Sequence, residues 1–462
     1  MRQKSTRRDF LKRSAAVAGT AAATPYVLSS ARTVKGQDAN EKPTIAAIGI
    51  GGSRGRYSRG GGIARQAGSR GEMIAVCDCD ILHMEEFNAY CQEKYGHPVK
   101  QYKDYRDLFD KEKPDMVTIG TPDHWHVPIA IAAMKAGCDV YCEKPLTLTI
   151  DEGKQICKVV EETGKIFQVG TQQRTENGRK FLQAIAMVKL GMLGENVRAD
   201  LAIGGAPSGG PFEPTPVPDK LDWDLWLGPA PKQPYMEERR KIFRWFLEYS
   251  GGKMTDWGAH HIDIAQWALS EDLAPCEVGG TGTLPVEIKD PVAFFAGEEQ
   301  LPHSYNAATN FNITLKYPNG GEMSVNHHYK SEDGNVDFGN GILFTGDEGR
   351  IFVNRGSLDG KPVEELTDED KQKIEEKVIE LYNGKTPGNH MQNFFDCVKD
   401  RTLPVSDVFS HHRTMTSCHL CNFTLLLGET LTYDPETETF PDNETANQLM
   451  SRPQREGYQT QG

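Results

Sequence analysis

Lys144 and the trio Asp256, His260 and Asp263 are the side chains in this sequence whose types and spacing suit proton transfer. In "VYCEKP" (140–145) an apolar run ends in Glu143-Lys144 and a proline. A buried strand seldom finishes on a charged pair unless those groups act at its carboxyl end. Proline lacks an N–H and biases the residue before it toward extended backbone, which would hold the Lys144 ammonium at the rim of a sheet. In "GGKMTDWGAHHIDIAQWAL" (251–269), helical spacing sets Asp256 and His260 at i, i+4, with Asp263 three residues on, along one face. Ile262, Ile264, Ala265, Trp267 and Ala268 supply a buried side. A carboxylate beside an imidazole orients it and raises its basicity, as proton abstraction requires. The competing reading makes Asp256 a helix cap and the histidines partly buried polar residues. A metal reading would gather His260, His261, Asp256 and Asp263 with His124 and His126. Their spacing resembles no zinc motif, and Lys144 would repel a divalent cation, so no metal is expected.

The elements that place Lys144 follow from the apolar runs before it. "TIAAIGI" (44–50) reads as a parallel strand buried on both faces. It leads into "GIGGSRGRYSRGGGIARQAG", where Gly49, Gly51, Gly52 and Gly55 suggest a turn that lets backbone approach a pyrophosphate closely. Position 54 is Arg54, so the third glycine of such a turn arrives one residue late, and Gly60-Gly61-Gly62 weaken the helix that should follow. Taken alone, the turn is equally an ordinary glycine-rich loop. The strand "EMIAVCD" (72–78) ends in Asp78, 27 residues after Gly51, where a carboxylate accepts hydrogen bonds from ribose hydroxyls.

A helix over 81–96, the strand "DMVTIGTP" (115–122), the helix "HVPIAIAAMKAG" and the strand "DVYCE" come next. The helix "TIDEGKQICKVVEETG", with Thr149 and Glu152 as a capping-box signature, and the strand "KIFQVG" complete the series. This alternation specifies a doubly wound parallel sheet over residues 43–174, whose ligands bind at the carboxyl ends of the strands. Gly51, Asp78, Thr121-Pro122 and Glu143-Lys144 all fall there. Lys144 would then face the nicotinamide end of a bound dinucleotide.

Residues 175–400 have another texture. After the helix "NGRKFLQAIAMVKLG" and the strand "ENVRADLAI" comes a loop rich in proline and aromatics (204–235), too long to be an idle connection. The hairpins "FNITLKYPNGGEMSVNHHY" and "ILFTGDEGRIFVN" carry the turn signals Asn319-Gly320 and Asp347-Glu348-Gly349. The fold class is therefore α/β: an N-terminal Rossmann sheet followed by an α+β domain on an open, mostly antiparallel sheet. A helical segment over 388–431 and a polar tail, within residues 401–462, should pack on that body.

Composition narrows the partners. Fifty-two basic against 65 acidic residues, a net charge of −13, argue against a broad nucleic-acid surface. The ten cysteines fall at buried-strand and helix spacings, such as Cys77/Cys79 and Cys418/Cys421, and read as small buried side chains rather than disulfides. Residues 1–36 read as a twin-arginine signal and linker: Arg7-Arg8 precede Phe10-Leu11-Lys12, a mildly apolar stretch follows, and Ser29, Ser30 and Ala31 offer a cleavage region. That route exports folded proteins to the periplasm, which suits one that must acquire a cofactor first. No stretch is long and apolar enough to be a membrane span.

With "TPDHWH" (121–126), "EKP" (143–145), "VGTQQR" (169–174), "WLGPAP" and "GGKMTDWGAHHID" added to the Gly49/Gly51 turn, the chain from Thr44 to about Tyr458 resembles the glucose–fructose oxidoreductase / inositol dehydrogenase (Gfo/Idh/MocA) family. The resemblance implies NAD, with NADP disfavoured because "CDCDILHM" lacks a cation for a 2′-phosphate. It implies a sugar or polyol substrate and a homo-oligomer, dimer or tetramer. Carried over, it makes Lys144, Asp256 and His260 the catalytic set, with the histidine taking the hydroxyl proton, the lysine bonding that oxygen and the aspartate orienting the histidine. It places the cofactor against Gly49, Gly51, Gly52, Arg54, Gly55, Asp78, Thr121, Pro122, His126, Glu143 and Lys144, and the substrate against Arg174, Trp257, His261 and Asp263. The expected activity is hydride transfer between a secondary alcohol and nicotinamide. A redox-assisted glycosidase or lyase with self-recycled NAD, and a non-catalytic sugar-binding protein, are the alternatives.

Overall fold

The apolar strands between Thr44 and Val169 form one parallel sheet. Its strands are β1 (Thr44–Ile48), β2 (Glu72–Cys77), β3 (Lys100–Tyr102), β4 (Met116–Ile119), β5 (Asp139–Cys142) and β6 (Phe167–Val169), in the order β3-β2-β1-β4-β5-β6. The computed structural model describes residues 42–51, 59–269 and 273–461; the twin-arginine segment, Gly52, Arg54 and Gly55 lie outside the described residues. Strand order reverses between β1 and β4, which opens a crevice at their carboxyl ends. The sequence reading missed β3, an edge strand of three residues with no apolar run, and the helix after it.

Helices α1 (Arg59–Gly68), α2 (Ile81–Tyr95), α3 (Tyr105–Lys111), α4 (His126–Lys135) and α5 (Ile150–Thr163) alternate with the strands. Asp80, Asp104 and Thr149 cap α2, α3 and α5 by accepting from first-turn N–H groups. The glycines of α1, which looked like a weakness, are a packing requirement. A Cβ on Gly60 would lie 1.8 Å from the carbonyl oxygen of Gly49, and one on Gly120 would lie 2.5 Å from the Cα of Gly60. Gly60 thus supplies the close helix–strand approach that the third glycine of a dinucleotide turn normally provides.

The second sheet contains β7 (Arg198–Ala202), β8 (Glu277–Thr283), β9 (Asn310–Lys316), β10 (Glu322–Asn326), β13 (Gly341–Gly346), β14 (Gly349–Val353), β15 (Leu358–Asp359) and β16 (Leu431–Thr432). A two-stranded ribbon, β11 (Tyr329–Lys330) with β12 (Asp337–Phe338), stands beside it. The order is β15-β14-β13-β7-β10-β9-β8-β16, antiparallel except for β7 with β10. Both expected hairpins form, β9–β10 and β13–β14. Buried and exposed residues alternate along β9, so this sheet is packed on one face and open on the other.

Its packed face meets α6 (Lys180–Lys189), α8 (Gly258–Leu269) and α10 (Val408–Leu427), with the short α7 (Gly252–Asp256) before α8 and α9 (His390–Asp400) before α10. Met391, Phe394 and Cys397 of α9 instead join the Rossmann core beside Ile45, Ile63 and Tyr141. No helix among the described residues is long and apolar enough to cross a membrane. All ten cysteines are free.

One buried ion pair fastens the two layers together. Arg174, just past β6, donates from Nε and Nη2 to the two carboxylate oxygens of Asp263 on α8 at 2.7 and 2.6 Å. Its Nη1 donates to Val405 O and to Ser410 Oγ on α10, and the guanidinium lies over Trp267. Thr414 Oγ1 also donates to Asp263. Both charges are almost fully buried, 3% and 1% exposed. The two residues expected to bind substrate hydroxyls therefore satisfy each other, because a charge taken out of water must find a bidentate partner. Asp263→Leu, which leaves the guanidinium buried without its counter-charge, is expected to lower unfolding free energy by about 3–5 kcal/mol. The check is a urea midpoint at unchanged m-value, and adding Arg174→Met should recover part of the loss.

Candidate active site

The carboxyl ends of β1, β2, β4 and β5 face the α7–α8 junction across a cleft of about 850 Å³. At one end, Gly49 and Gly51 take positive φ values of 70° and 61°, and a Cβ on Gly49 would come within 2.5 Å of Thr121. Only glycine fits this turn. Asp78, 8% exposed, accepts from Gly51 N at 3.0 Å and from Asp80 N at 2.9 Å, with His83 Nδ1 at 3.3 Å. Burial alone would raise its pKa, but His83 and the two N–H groups outweigh that and hold it below the ordinary carboxylate value.

The floor of the cleft is braced by groups that the sequence assigned to the cofactor. His126 faces Pro145 O with Nδ1 (2.7 Å) and Thr121 O with Nε2 (3.0 Å), so it ties the "TPDHWH" turn to the "EKP" turn. Glu143 accepts from Arg59 at 2.7 Å and Gln172 at 3.0 Å, fixing the start of α1. Thr121 and Pro122 line the cleft, and the buried Thr121 Oγ1 has no partner among the described residues.

At the other end the expected helix face is broken. The run 251–269 is two helices with Trp257 at the joint, where its carbonyl accepts from His260 N and His261 N. Asp256 consequently does not hydrogen-bond His260. Its Oδ1 accepts from Lys144 Nζ at 2.6 Å and from Arg244 Nε at 3.2 Å, while Lys144 also donates to the Asp256 carbonyl at 2.9 Å. Burial would raise the Asp256 pKa, yet Lys144 and Arg244 drive it far below the usual range. Asp256 orients the lysine, and the expected Asp256–His260 contact is corrected accordingly.

His260 lines the cleft, 5% exposed, and its Nδ1 is buried without a partner among the described residues. Burial first, then the charges of Lys144 and Arg355, push its pKa well below the ordinary histidine value, so the ring is neutral and a lone pair is available. Trp257 lines the cleft. His261 does not. It is fully buried between Gln173 (3.3 Å) and Asn340 (3.2 Å), and burial pulls its pKa down to about 4. The helix that carries His260 toward the cleft turns its neighbour into the core.

Several lining residues escaped the sequence reading: Arg59, Arg240, Arg244, Lys253 and Arg355. The one available signal was the long loop 204–235. That loop crosses to the first sheet just beyond Asp78. Ile81 N donates to Lys220 O (3.0 Å), Asp222 N to Cys79 O (2.9 Å), and Lys220 pairs with Glu85 (2.8 Å). Arg240, shortly after the loop, pairs with Asp80. Trp223 and Trp226 stack with centroids 4.5 Å apart, and Trp226 O faces His124 Nε2.

A dinucleotide fits what is present: a glycine turn with no room for a Cβ, an anionic acceptor at the end of β2, an unpartnered Thr121 hydroxyl and an ammonium at the far end. Comparison with known proteins agrees. Residues 44–171 match the model for "Oxidoreductase family, NAD-binding Rossmann fold", and residues 209–460 match "Oxidoreductase family, C-terminal alpha/beta domain" of the same family. A "Glycosyl hydrolase family 109 protein" from Shewanella pealeana is 33% identical over 135 residues, 28% of this chain and 29% of that protein. An "Alpha-N-acetylgalactosaminidase" from Shewanella oneidensis is 31% identical over 142 residues, again 28% and 29%. The matched part thus spans less than a third of these curated relatives. The WlbA dehydrogenase from Bordetella pertussis, solved with NADH and UDP-GlcNAcA, superposes with a TM-score of 0.58 at 16% identity, covering 85% of this chain and 98% of that one, and shares the fold.

NAD is the cofactor, and the carboxylate of Asp78 beside the glycine turn would disfavour a 2′-phosphate. A 2′-phosphate charge about 5 Å from this carboxylate costs about 3 kcal/mol at an effective dielectric near 20. Arg240, the nearby cation, is committed to Asp80. Dissociation constants on stripped protein should favour NAD over NADP by about two orders of magnitude, a preference that Asp78→Ser erodes. For His260, the folded pKa lies below the unfolded value. The advantage of the neutral form is therefore complete above about pH 6.5 and is lost as pH falls below it. Its ring NMR signal, assigned by difference against His260→Ala, should keep the neutral shift from pH 8 to about 5.5.

Proposed function

This chain belongs to the Gfo/Idh/MocA oxidoreductase family, and we propose that it acts on glycosides in a redox-neutral cycle, keeping its NAD bound from one turnover to the next. The observation that carries this reading is the strap of residues 220–222 with Arg240, which ties down the segment beyond Asp78 by backbone bonds and two ion pairs. In this reading the strap slows release of a cofactor seated on Asp78, because it is bonded to the residues directly after that carboxylate. An enzyme that exchanges NADH for NAD at each turnover gains nothing from such closure, whereas one that recycles its cofactor in place does. The names of the two Shewanella relatives, a glycosyl hydrolase family 109 protein and an alpha-N-acetylgalactosaminidase, support glycoside cleavage as well.

NAD, when bound, supplies the hydride acceptor that becomes the donor at the end of the cycle. The chain moves the protons. Lys144, aimed by Asp256, donates a hydrogen bond to the sugar oxygen and stabilises negative charge there. His260, which lines the cleft and is held neutral, takes the hydroxyl proton as the carbinol becomes a ketone. With Lys144 on the ketone oxygen, the adjacent C–H is acidic. That carbon loses a proton, the glycosidic C–O bond breaks, and the leaving oxygen takes up a proton. Water adds to the double bond, and return of the hydride restores the alcohol, so the sum is hydrolysis with no net redox change.

A second reading, dehydrogenation of a free sugar or polyol, is favoured by the Lys144/His260 pair, which suffices for hydride chemistry alone. A purely binding role has no use for that pair. Export by the twin-arginine route accords with a retained cofactor, since a folded holoprotein would carry it across.

Extensively dialysed protein should release a stoichiometric amount of NAD on denaturation, and with aryl glycosides should release aglycone over many turnovers without added NAD. Protein that loses NAD on dialysis, or stops after a single turnover per bound cofactor, would instead be a dehydrogenase. Lys144→Ala and His260→Ala should each lower turnover by about 10²–10⁴ while NAD stays bound.

A further inference from the structure

The cleft is positive although the chain is negative. Eight lysines and arginines line it against four carboxylates, in a protein of net charge −13. The pyrophosphate of a dinucleotide accounts for two of these positive charges and lies toward the glycine turn. The excess remains at the far end, around Trp257.

The carboxylates of that end are already engaged. Glu143 holds Arg59, Asp256 is shared by Lys144 and Arg244, and Asp123 accepts from the buried Ser250 hydroxyl. Among the described residues Arg355 forms no ion pair, although Asp256 and Glu176 lie near enough to act on its charge. Among the described residues its partners are Gln173 Oε1, to which Nε donates at 3.0 Å, and the face of Trp257, with the guanidinium carbon 4.5 Å from the ring centroid. Partial burial, with the nearby Arg59, outweighs Asp256 and Glu176 and pulls its pKa below the ordinary arginine value. Its position is set from two sides, by an amide and an indole, while nothing among the described residues bonds the ends of its fork. A guanidinium held in this way is prepared for a planar or tetrahedral anion. Lys253, 6.0 Å from the same indole centroid, and Arg244, on Asp256, add charge from two other elements.

We infer that Arg355, with Lys253 and Arg244 around Trp257, receives an anionic substituent of the sugar, a carboxylate or a sulfate ester, so that the substrate is an acidic rather than a neutral glycoside. This rests on the reading of the cleft as sugar-active. The anion anchors one side of the ring on Arg355 while the reacting hydroxyl meets Lys144 and His260.

The test is calorimetric titration of the NADH-loaded protein with methyl glycosides of glucose, galactose and mannose, each as the neutral sugar, the uronate and the 6-sulfate. In at least one series an anionic member should bind at least about tenfold tighter than its neutral parent, as expected for one charge-assisted contact. The advantage should shrink with added salt, and fall to under about threefold in Arg355→Gln. Arg355→Lys, which keeps the charge but not the fork, should restore only part of it, and unchanged NADH affinity in both variants reports a sound fold. Preference for the uronate or for the sulfate identifies which anion the site takes. Equal affinity for neutral and anionic sugars in every series, no binding by any of them, or an advantage untouched by Arg355→Gln overturns the inference. Release of aglycone from neutral glycosides as fast as from acidic ones sinks this inference and leaves the redox-neutral reading standing. Preferential binding of acidic glycosides with no aglycone released does the reverse.

Discussion

The Arg174–Asp263 pair sets the geometry on which the rest of the molecule depends. It buries two full charges where the end of the parallel sheet meets α8 and α10. Neither charge tolerates separation from the other in a dry interior, so α8 has one allowed position against the Rossmann layer. His260 sits three residues before Asp263 on the same helix, and its distance from Lys144 is inherited from that lock. The pair does no chemistry itself. It fixes the relation of the two layers that do.

Given that frame, electrostatics divides the work in the cleft. Cations outnumber carboxylates, and Asp256 is the carboxylate placed between Lys144 and Arg244. Burial and the surrounding positive charge keep His260 neutral, which a proton acceptor requires. Asp256 steers the ammonium, leaving the imidazole to be positioned by its helix. At the opposite end the buried carboxylate of Asp78 lies beside the glycine turn and accepts from Gly51 N. One cleft thus presents a negative acceptor at one end and a positive field at the other.

The strap from the second sheet's long loop couples these ends to stability. It closes over the first residues of α2 through main-chain bonds and the Arg240–Asp80 pair. The contact with the start of α2 and the shaping of the cleft thus come from one continuous segment, since Phe243, Arg244 and Trp245 follow Arg240 directly and line the cleft. The α7–α8 break at Trp257 serves the same end by turning Asp256 toward Lys144 and leaving an indole face for Arg355.

What the sequence determined by itself was local and periodic. Apolar strands with helices between them dictated the parallel sheet, hairpin turn residues dictated the antiparallel one, and the positions of Asp78, Thr121 and Lys144 at strand ends followed from alternation alone. The motif resemblance named His260, which the fold places on the cleft wall. Partnerships were not legible, because a charged side chain is drawn to whatever opposite charge the packing delivers, regardless of separation along the chain. Asp256 and His260, four residues apart, do not meet, whereas Arg174 and Asp263, 89 apart, do. His261 and Asp263 looked like binders in the sequence because nothing local distinguishes a buried polar residue from an exposed one. Gly60 looked like a weakness because close approach to Gly49 is a property of the packed sheet and helix. Arg355 was invisible for the same reason: only the tertiary structure brings the loop after β14 over Trp257.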